Sequence, residues 1–267
     1  MAIDPARLRA LLARLANLSE SQGTAIENII GQFERSFTFV ANPRSDLVTE
    51  CVLREFGDTL RIHHCFSGEA FTKDKFEYAL ERAVNFCGGQ AARARRGNRG
   101  HDITINGVPF SLKTQANAGI RADSIHISKF MELGKGQWSD KPAELAGLRD
   151  SFLEHMRSYE RILTLRYIPT GDSHHYELVE IPKRLLAEAA TGAFEMMSAS
   201  KQMPKPGTCT VTDRNGDVKF QLYFDGGTER KLQIRKINKA LCVVHGEWSF
   251  AKDATITEEN ALYPGLI

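Results

Sequence analysis

The chain has 267 residues, of which 42% are hydrophobic and 25% are charged, and its formal net charge is +2. This composition is typical of a globular protein that buries a full core and needs neither disulfide bonds nor a structural metal for stability. It contains no long apolar run and no basic segment followed by an apolar one, so we expect a cytoplasmic protein and no membrane partner. The nearly balanced charge neither requires nor excludes a nucleic-acid partner.

The cysteines are Cys51, Cys65, Cys87, Cys209 and Cys242. Their number is odd and no two of them form a CxxC pair. This pattern is typical of reduced thiols in the core of a protein from a reducing compartment. We therefore expect free cysteines and no zinc site.

The first 40 residues predict two amphipathic helices. Asp4-Pro5 is a typical helix start, and leucines follow it at helical spacing as far as Leu18. A second helix is predicted over 24–39, because isoleucines and phenylalanines recur along one face. We expect these apolar stripes to lie in the core or in a contact between subunits.

The next stretch predicts a short helix over 46–56 and a strand over 59–66. His63 and His64 lie within the predicted strand. Because successive strand residues face opposite sides of a sheet, the two imidazoles are a poor metal-binding pair, and we expect them to be packing residues.

A further helix is predicted over 72–85, where Phe76, Leu80 and Val84 belong to a buried stripe. Glu77 lies beside that stripe. A lone glutamate on a helix normally faces solvent. This helix, however, leads into a hairpin that carries an acid and a lysine, and a supplementary acid on it can reach a metal held there.

Two groups of basic residues stand out against the balanced charge. The first contains no acid and consists of Arg93, Arg95, Arg96 and Arg99, and the second consists of Arg230, Lys231, Arg235 and Lys236. Each group is either a solvated face or a rim that contacts DNA phosphates, and the sequence pattern leaves both interpretations open.

The segment 101–115 (HDITINGVPFSLKTQ) predicts a β-hairpin, because apolar and polar residues alternate on both sides of Asn106-Gly107. Asn-Gly is favoured in the tight type I′ turn, whose central residues both have positive φ. Asp102 begins the first strand, and Ser111 and Lys113 share one face of the second because they lie two residues apart. An acid, a hydroxyl and an ammonium therefore converge at one end of the hairpin.

Such a set suits metal-dependent cleavage of a phosphodiester. An aspartate oxygen can hold Mg²⁺, which neutralises charge on the phosphate and lowers the pKa of a bound water, while a lysine stabilises developing charge. Asp102 and Lys113 form a degenerate PD-(D/E)xK nuclease signature, with Ser111 in the place of the second acid. The same spacing also occurs on solvated sheet edges, so it leaves both interpretations open.

The rest of the chain predicts further helices and strands. The predicted elements are a strand over 125–128, a loop over 134–138, a helix over 142–159, buried strands over 162–168 and 176–181, a helix over 183–190, a loop over 198–207, and strands over 208–212, 220–224, 231–234 and 241–250. The fold class is therefore α/β (α+β). We expect a single domain over 1–267, with a helical part (1–57), a catalytic core (58–190) and a β-rich DNA-binding part (191–267).

Several stretches of the sequence resemble the SmaI-like type II restriction endonucleases of the PD-(D/E)xK superfamily. They are GHDITI (100–105), SLKTQA (111–116), IHISKFMELGKGQW (125–138), YERILTLRY (159–167), YELVEIPKRLL (176–186), SKQMPKPG (200–207), FQLYFDGGTERKLQI (220–234) and HGEW (245–248). The irregular stretches have no general structural reason to recur, so the resemblance is specific. It is weakest in the first 40 residues.

The resemblance implies a restriction-endonuclease-like fold, a central mixed β-sheet flanked by helices with a β-rich C-terminal part. It implies a homodimer that uses Mg²⁺ to cut double-stranded DNA at the palindrome CCCGGG, at its centre, leaving blunt ends. It also implies a role in bacterial defence beside a cognate DNA methyltransferase that acts on the same site.

The resemblance places Asp102 and Lys113 on the nuclease motif. It supplies no acid at Ser111, so we expect Asp102 and Glu77 to be the metal ligands. Gln115 shares the face of Lys113 and is a further candidate, because its amide can orient water.

A G·C palindrome is read by Arg or Lys donors on guanine O6 and N7, each bidentate pair being worth about 1–3 kcal/mol of discrimination. The DNA-binding candidates are Lys201, Gln202 and Lys205 in the proline-containing loop, Arg230 and Lys231 after the Asp-Gly-Gly turn, Lys135 in the glycine-rich loop, and Arg96 and Arg99 in the first basic group.

Two alternatives follow from the same residues. One is a sequence-specific DNA-binding protein that has lost catalysis, which the missing acid at Ser111 suggests. The other is a structure-selective nuclease, such as a junction resolvase, on the same scaffold.

Overall fold

The computed structural model describes residues 3–72, 74–95, 97–98, 100–117, 119–134, 138 and 141–252. Within these ranges the α-helices are α1 (Pro5–Leu15), α2 (Glu20–Glu34), α3 (Glu50–His63), α4 (Asp74–Phe86), α5 (Leu145–His155) and α6 (Lys183–Ala187). The strands are β1 (Phe37–Ala41), β2 (Ala91–Arg93), β3 (Ile103–Ile105), β4 (Val108–Gln115), β5 (Ser124–Glu132), β6 (Arg161–Thr170), β7 (Ser173–Glu180), β8 (Ala193–Met196), β9 (Gly207–Thr212), β10 (Val218–Phe224), β11 (Lys231–Asn238) and β12 (Val243–Ala251).

A mixed seven-stranded sheet forms the centre of the fold. Its strand order is β1-β12-β7-β6-β4-β3-β2, with β4 parallel to β6 and the other neighbours antiparallel. Helices α3 and α4 pack on this sheet through an apolar cluster that includes Phe56, Leu60, Phe76 and Leu80. The predicted central mixed sheet flanked by helices is confirmed.

The second sheet combines β5 with four strands from the C-terminal part of the chain, β8 to β11. Its five strands are antiparallel in the order β5-β11-β10-β9-β8. One face packs against α5 and α6 in a second apolar cluster, to which Phe152, Phe220, Leu222 and Ile234 belong. The β-rich C-terminal part is thus confirmed, whereas the division of the chain into three functional parts stays a prediction.

The hairpin over 101–115 is present as the sequence predicts. Strands β3 and β4 pair in the register Ile103↔Phe110, and the turn residues Asn106 and Gly107 have φ values of 48° and 82°. These positive values are the reason that Asn-Gly is favoured at this turn.

The prediction of a strand over 59–66 is wrong, because this stretch is mostly the end of α3. The helix begins after Thr49, whose side chain accepts a hydrogen bond from the N–H of Val52. Phe56 and Leu60, one turn apart, are both buried against the sheet. His64 stacks on His174 with ring centroids 3.6 Å apart, so the expectation that the histidines are packing residues is confirmed.

The predicted helix over 24–39 is wrong at both ends. A capping box between Ser19 and Gln22 starts α2 earlier, at Glu20. The helix ends at Glu34, because residues from Phe37 onward pair with β12 as an edge strand of the central sheet. The helix predicted over 142–159 is confirmed as α5 with a 3₁₀ turn at each end, over residues 142–158.

The expectation that all the cysteines are reduced is wrong for one pair. Cys51 and Cys87 form a disulfide between the first turn of α3 and the residue after α4, with a Cα–Cα distance of 5.8 Å. Cys65, Cys209 and Cys242 are not part of a disulfide. The two partners lie 36 residues apart in the sequence and meet only because α3 and α4 pack together.

None of the helices in the described ranges is both long enough and apolar enough to cross a membrane.

Candidate active site

The hairpin brings Asp102, Ser111 and Lys113 together. Asp102 Oδ2 accepts hydrogen bonds from the backbone N–H of Leu112 at 2.6 Å and from the Ser111 hydroxyl at 3.2 Å. Lys113 Nζ donates to Ser111 Oγ at 2.9 Å and lies 3.9 Å from Asp102 Oδ2. Ser111 therefore bridges the acid and the ammonium. The predicted convergence is observed, while the catalytic roles stay predictions.

These contacts leave one side of the Asp102 carboxylate available. All hydrogen bonds to it from the described residues use Oδ2, and Oδ1 has none among them. The side chain is 32% exposed, so Oδ1 can meet a ligand from solvent.

Lys113 is held in a largely dehydrated position. Its side chain is 16% exposed, and Nζ lies 5.5 Å from the centre of the Phe130 ring. Burial lowers the pKa of this ammonium, while the negative charges of Asp102 and Glu77 oppose the shift. The lysine is thus a positive group in a low-dielectric site, where its interaction with an anion is stronger than in water.

Glu77 on α4 lies close enough to this site for its carboxyl group to interact electrostatically with Asp102 and Lys113. Burial raises the pKa of its carboxyl group, and the negative charge of Asp102 raises it further, while Arg93 and Lys113 oppose this shift. Within the described ranges its carboxylate has no hydrogen bond or ion pair. Glu81, one turn later, differs because its carboxylate binds Arg93 at 2.7 Å.

The donor set fits a hard divalent cation. Glu77 and Asp102 are two carboxylates whose charges repel each other, and each has an oxygen that no described group satisfies. A bound cation relieves that repulsion, and carboxylate oxygens are the ligands that Mg²⁺ prefers. Ser111 is not needed as a ligand, since its hydroxyl already joins Asp102 to Lys113.

Gln115 lies in a different environment at the far end of β4. Its Oε1 accepts a hydrogen bond from Arg166 Nε at 3.0 Å, and its side chain is buried. Arg166 in turn pairs with Glu177, which also binds Lys239. We call these four residues the buried ion cluster. The structure therefore does not bring Gln115 together with the acids of the hairpin.

A second group of possible metal ligands borders the buried ion cluster. His175, Glu177 and Glu247 offer ligand atoms within 4.8 Å of one another. Arg166 and Lys239 already neutralise Glu177 and would repel a cation. On β6, the partner of His175 is six residues beyond the partner of Ser111, or about 20 Å at roughly 3.3 Å per residue.

Two of the predicted DNA-reading segments lie against each other. A Cβ atom on Gly226 would lie 1.7 Å from the carbonyl oxygen of Pro204, so the Asp-Gly-Gly turn packs directly on the proline-containing loop. Only glycine fits this approach. The loop and the turn therefore form one surface, which we call the loop-turn surface (198–206 and 225–230).

Three candidate residues lie in the loop. Lys201 is exposed, whereas the Lys205 ammonium donates to the Ser198 carbonyl at 2.5 Å and the Lys205 carbonyl accepts from Trp138. Gln202 is half-buried, and its Oε1 has no hydrogen-bond partner among the described residues. Lys205 thus stabilises the loop through its hydrogen bond to Ser198, whereas the charge of Lys201 is exposed to solvent.

The other candidates differ in their surroundings. Arg230 is half-buried with φ of 41°, and its carbonyl accepts from the N–H of Leu133. Lys231 Nζ pairs with Glu229 at 3.0 Å. Lys135, Arg96 and Arg99 lie outside the described residues.

Comparison with known proteins identifies the family. The family model described as SmaI, type II site-specific deoxyribonuclease, matches residues 11–250. The type II restriction enzyme SmaI of Serratia marcescens is 50% identical over 197 residues, which cover 73% of this chain and 78% of the relative. The chain belongs to the SmaI family of type II site-specific deoxyribonucleases. No solved structure matches it significantly.

Membership in this family confirms the resemblance seen in the sequence. The protein is a type II restriction endonuclease, an enzyme that hydrolyses DNA. The family match begins at residue 11, so it also includes most of the N-terminal stretch where the sequence resemblance is weakest.

Sequence reasoning missed two side chains beside the hairpin, His155 and Tyr159. The charge of Asp102 acts on both of them, and Lys113 acts on His155 as well. No periodicity or motif distinguishes them, because they lie at a helix end and in the turn that follows.

Proposed function

We propose that the enzyme uses Mg²⁺ to hydrolyse both strands of duplex DNA at CCCGGG, cutting at the centre and leaving blunt ends. The observation that carries the catalytic part is the meeting of Asp102, Ser111 and Lys113 at the end of the hairpin, with Glu77 on α4 within electrostatic range of them. The resemblance to SmaI-like enzymes supports the recognition site and the position of the cut.

Each residue of the hairpin then has a distinct task. Asp102 and Glu77 hold Mg²⁺, which when bound supplies positive charge against the phosphate and a more acidic bound water. The backbone N–H of Leu112 and the Ser111 hydroxyl hold Asp102 Oδ2, which leaves Oδ1 for the ligand. Lys113 neutralises charge that develops on the scissile phosphate.

Gln115 takes a supporting role in this proposal. It is buried, and its Oε1 accepts from Arg166, so it anchors the end of β4 on which Lys113 is carried. It does not orient the attacking water.

We further propose that the loop-turn surface reads the bases. Lys201 is exposed on the loop, and Arg230 follows the turn that packs against that loop. Both can offer N–H donors to guanine in the major groove. The Lys205 ammonium holds the loop, Gln202 supports it from a half-buried position, and Lys231 contacts phosphate. Lys135, Arg96 and Arg99 stay predicted phosphate contacts.

A palindrome is cut on both strands by a two-fold dimer, and the N-terminal helices offer a surface for one. Leu12 on α1 and Ile30 on α2 are 56% and 49% exposed. Helix α1 carries three arginines and no acid, whereas α2 carries three glutamates and no base. In a symmetric dimer α1 of each subunit can therefore pack on α2 of the other, with apolar and charge complementarity.

The dimer proposal is tested by sedimentation. Leu12→Asp combined with Ile30→Asp should give a monomer at a concentration where the wild type is a dimer. Val243→Asp, which changes an apolar side chain that is 39% exposed on β12, is the control. A dimer that survives the double change rules this surface out.

An enzyme with this activity would also cut the DNA of its own host. We therefore place it in the bacterial cytoplasm beside a cognate DNA methyltransferase that modifies the same site.

The activity is tested with a plasmid that carries one CCCGGG site and with a matched plasmid in which one base pair of the site is changed. We expect linear product with blunt ends from the first plasmid only, and only with Mg²⁺. Staggered ends would overturn the cut position. A site-specific gel shift without nicking would favour a catalytically impaired DNA-binding protein, and cleavage of branched DNA lacking the site would favour a structure-selective nuclease.

A further inference from the structure

A cavity of about 680 Å³ lies beside the catalytic hairpin. Gly100, two residues before Asp102, lines it on the hairpin side. On the other side it is lined by α5 and the turn that follows, through Gly147, Asp150, Ser151, Glu154, His155 and Ser158. The cavity is therefore open space next to the place where the scissile phosphate is proposed to bind.

His155 connects this cavity to the hairpin. Its ring lies edge-on to Phe130, with the two ring centres 6.0 Å apart, and Lys113 Nζ lies 5.5 Å from the centre of the same Phe130 ring. Burial lowers the pKa of His155 and the Lys113 charge lowers it further, while Asp102 opposes them. His155 and Lys113 thus share one aromatic neighbour and one electrostatic environment.

The imidazole of His155 is held in place by aromatic packing. Tyr159 packs edge-on against it at 5.6 Å between ring centres, and the Ser158 hydroxyl donates to the His155 backbone carbonyl. Among the described residues neither ring nitrogen has a hydrogen-bond partner. The Tyr159 hydroxyl beside it is fully buried and also lacks a partner within the described ranges.

Each acid that lines the cavity has an arginine partner at the surface. Asp150 pairs with Arg149 and Glu154 pairs with Arg157, each at 2.8 Å. An anionic group entering the cavity therefore meets His155 and two carboxylates that are each paired with an arginine.

We propose that His155 is a catalytic residue that donates an N–H hydrogen bond to a non-bridging oxygen of the scissile phosphodiester, from the cavity side of the site. This inference rests on the proposed function, because it takes Asp102 and Lys113 as the point of cleavage. A neutral imidazole carries the required N–H, so the contact does not depend on protonation. Tyr159 and Phe130 are positioning residues that fix the plane of the ring.

The test uses single-turnover cleavage of a duplex with one CCCGGG site, with DNA binding measured separately. His155→Ala should slow the cleavage step on the order of 10²-fold, as loss of one preorganised donor does, and should change the dissociation constant for DNA much less. His155→Gln, which keeps an N–H donor, should recover part of the rate. Ser151→Ala, a change on the same cavity wall, should leave the rate unchanged.

A phosphorothioate at the scissile position separates a contact from packing. Sulfur in place of the contacted oxygen should slow the wild type for one diastereomer, and His155→Ala should lose that discrimination between diastereomers. Unchanged discrimination in His155→Ala, or equal rates for His155→Gln and His155→Ala, would overturn the inference. If the wild type cuts the site and Asp102→Asn does not, while His155→Ala keeps the full rate, this inference alone fails. If the wild type does not cut CCCGGG, the proposed function fails instead.

Discussion

Two charged clusters adjoin β4, one at Ser111 and Lys113 and the other at Gln115, and their electrostatics are opposite. Beside the first cluster, the carboxyl group of Glu77 on α4 has its pKa raised by burial and by the charge of Asp102. Beside the second cluster, burial opposes ionisation of Glu177, yet the nearby imidazole of His175, a hydrogen bond from Lys239 and the charge of Arg166 lower its pKa to about 2. The cations near Glu77 do not outweigh the effects that raise its pKa, whereas the cations around Glu177 outweigh the effect of its burial.

This difference in electrostatics indicates that the hairpin cluster binds a ligand and that the buried ion cluster stabilises the fold. The buried ion cluster satisfies its own charges, which holds β4, β6 and β7 together at the end remote from the hairpin. The hairpin cluster leaves carboxylate oxygens without partners, which lowers the stability of the protein alone and favours a cation. Titratable groups whose pKa values are shifted by burial and by a neighbouring charge are typical of functional sites.

The largest effect is expected from Asp102→Asn. Losing a metal ligand should reduce the single-turnover cleavage rate on the order of 10³-fold or more, because the bound cation contributes several kcal/mol to the transition state. The protein should stay folded, as judged by its melting temperature. A variant that cuts at the wild-type rate would move the site elsewhere.

The next effect is expected from Glu77→Gln, with Glu81→Gln as the matched control one turn along α4. Glu77→Gln should lower cleavage on the order of 10²-fold at a fixed Mg²⁺ concentration and should require more Mg²⁺ for half-maximal rate. Without divalent metal it should unfold at a higher urea concentration than the wild type, because the repulsion with Asp102 is gone.

Glu81→Gln should keep the wild-type dependence on Mg²⁺, since Glu81 pairs with Arg93. Equal metal dependence in the two variants would show that the open carboxylate of Glu77 does not hold the metal.

The structural role of the buried ion cluster is tested by Glu177→Ala. Removing this acid leaves Arg166 and Lys239 uncompensated in a buried site, so the free energy of unfolding should fall by about 3–5 kcal/mol. Cleavage per folded molecule should be unchanged at low temperature. A loss of activity without a loss of stability would contradict the claim that the buried ion cluster stabilises the fold and takes no part in cleavage.

The smallest expected effect is on the pH dependence of the free energy of unfolding. The folded pKa of Glu177 is about 2 against an ordinary value of 4.5. Its stabilising contribution is therefore fully present above pH 4.5 and is lost as the pH falls towards 2. In urea unfolding curves, the stability difference between wild type and Glu177→Gln should narrow over that range. A difference that stays constant or widens would mean that Glu177 is not favourably ionised in the fold.

Local patterns predict the parts of the fold that local residues decide. Asn106-Gly107 and the alternation around it are enough for the hairpin, and thereby for the meeting of Asp102 and Lys113. The stretch 59–66 is different. Its β-branched and aromatic residues favour a strand, but burial of Phe56 and Leu60 against the central sheet makes most of it helical, since packing overrides propensity.

Long-range partners explain what the sequence does not show. Glu77 and Glu81 are equivalent on a helical wheel, and only the position of Arg93 in β2 decides which carboxylate is satisfied. Gln115 shares the face of Lys113, as the strand period predicts, but its partner Arg166 lies 51 residues away. Such pairings become visible only when the strands are placed side by side.

The most direct test is to locate the cation. Crystals of the enzyme with a CCCGGG duplex and Mn²⁺ would be used to calculate an anomalous difference map. We predict a peak within about 2–2.5 Å of Asp102 Oδ1 and of a Glu77 oxygen. A peak at His175, Glu177 and Glu247, with none at Asp102, would contradict the assignment of the two clusters.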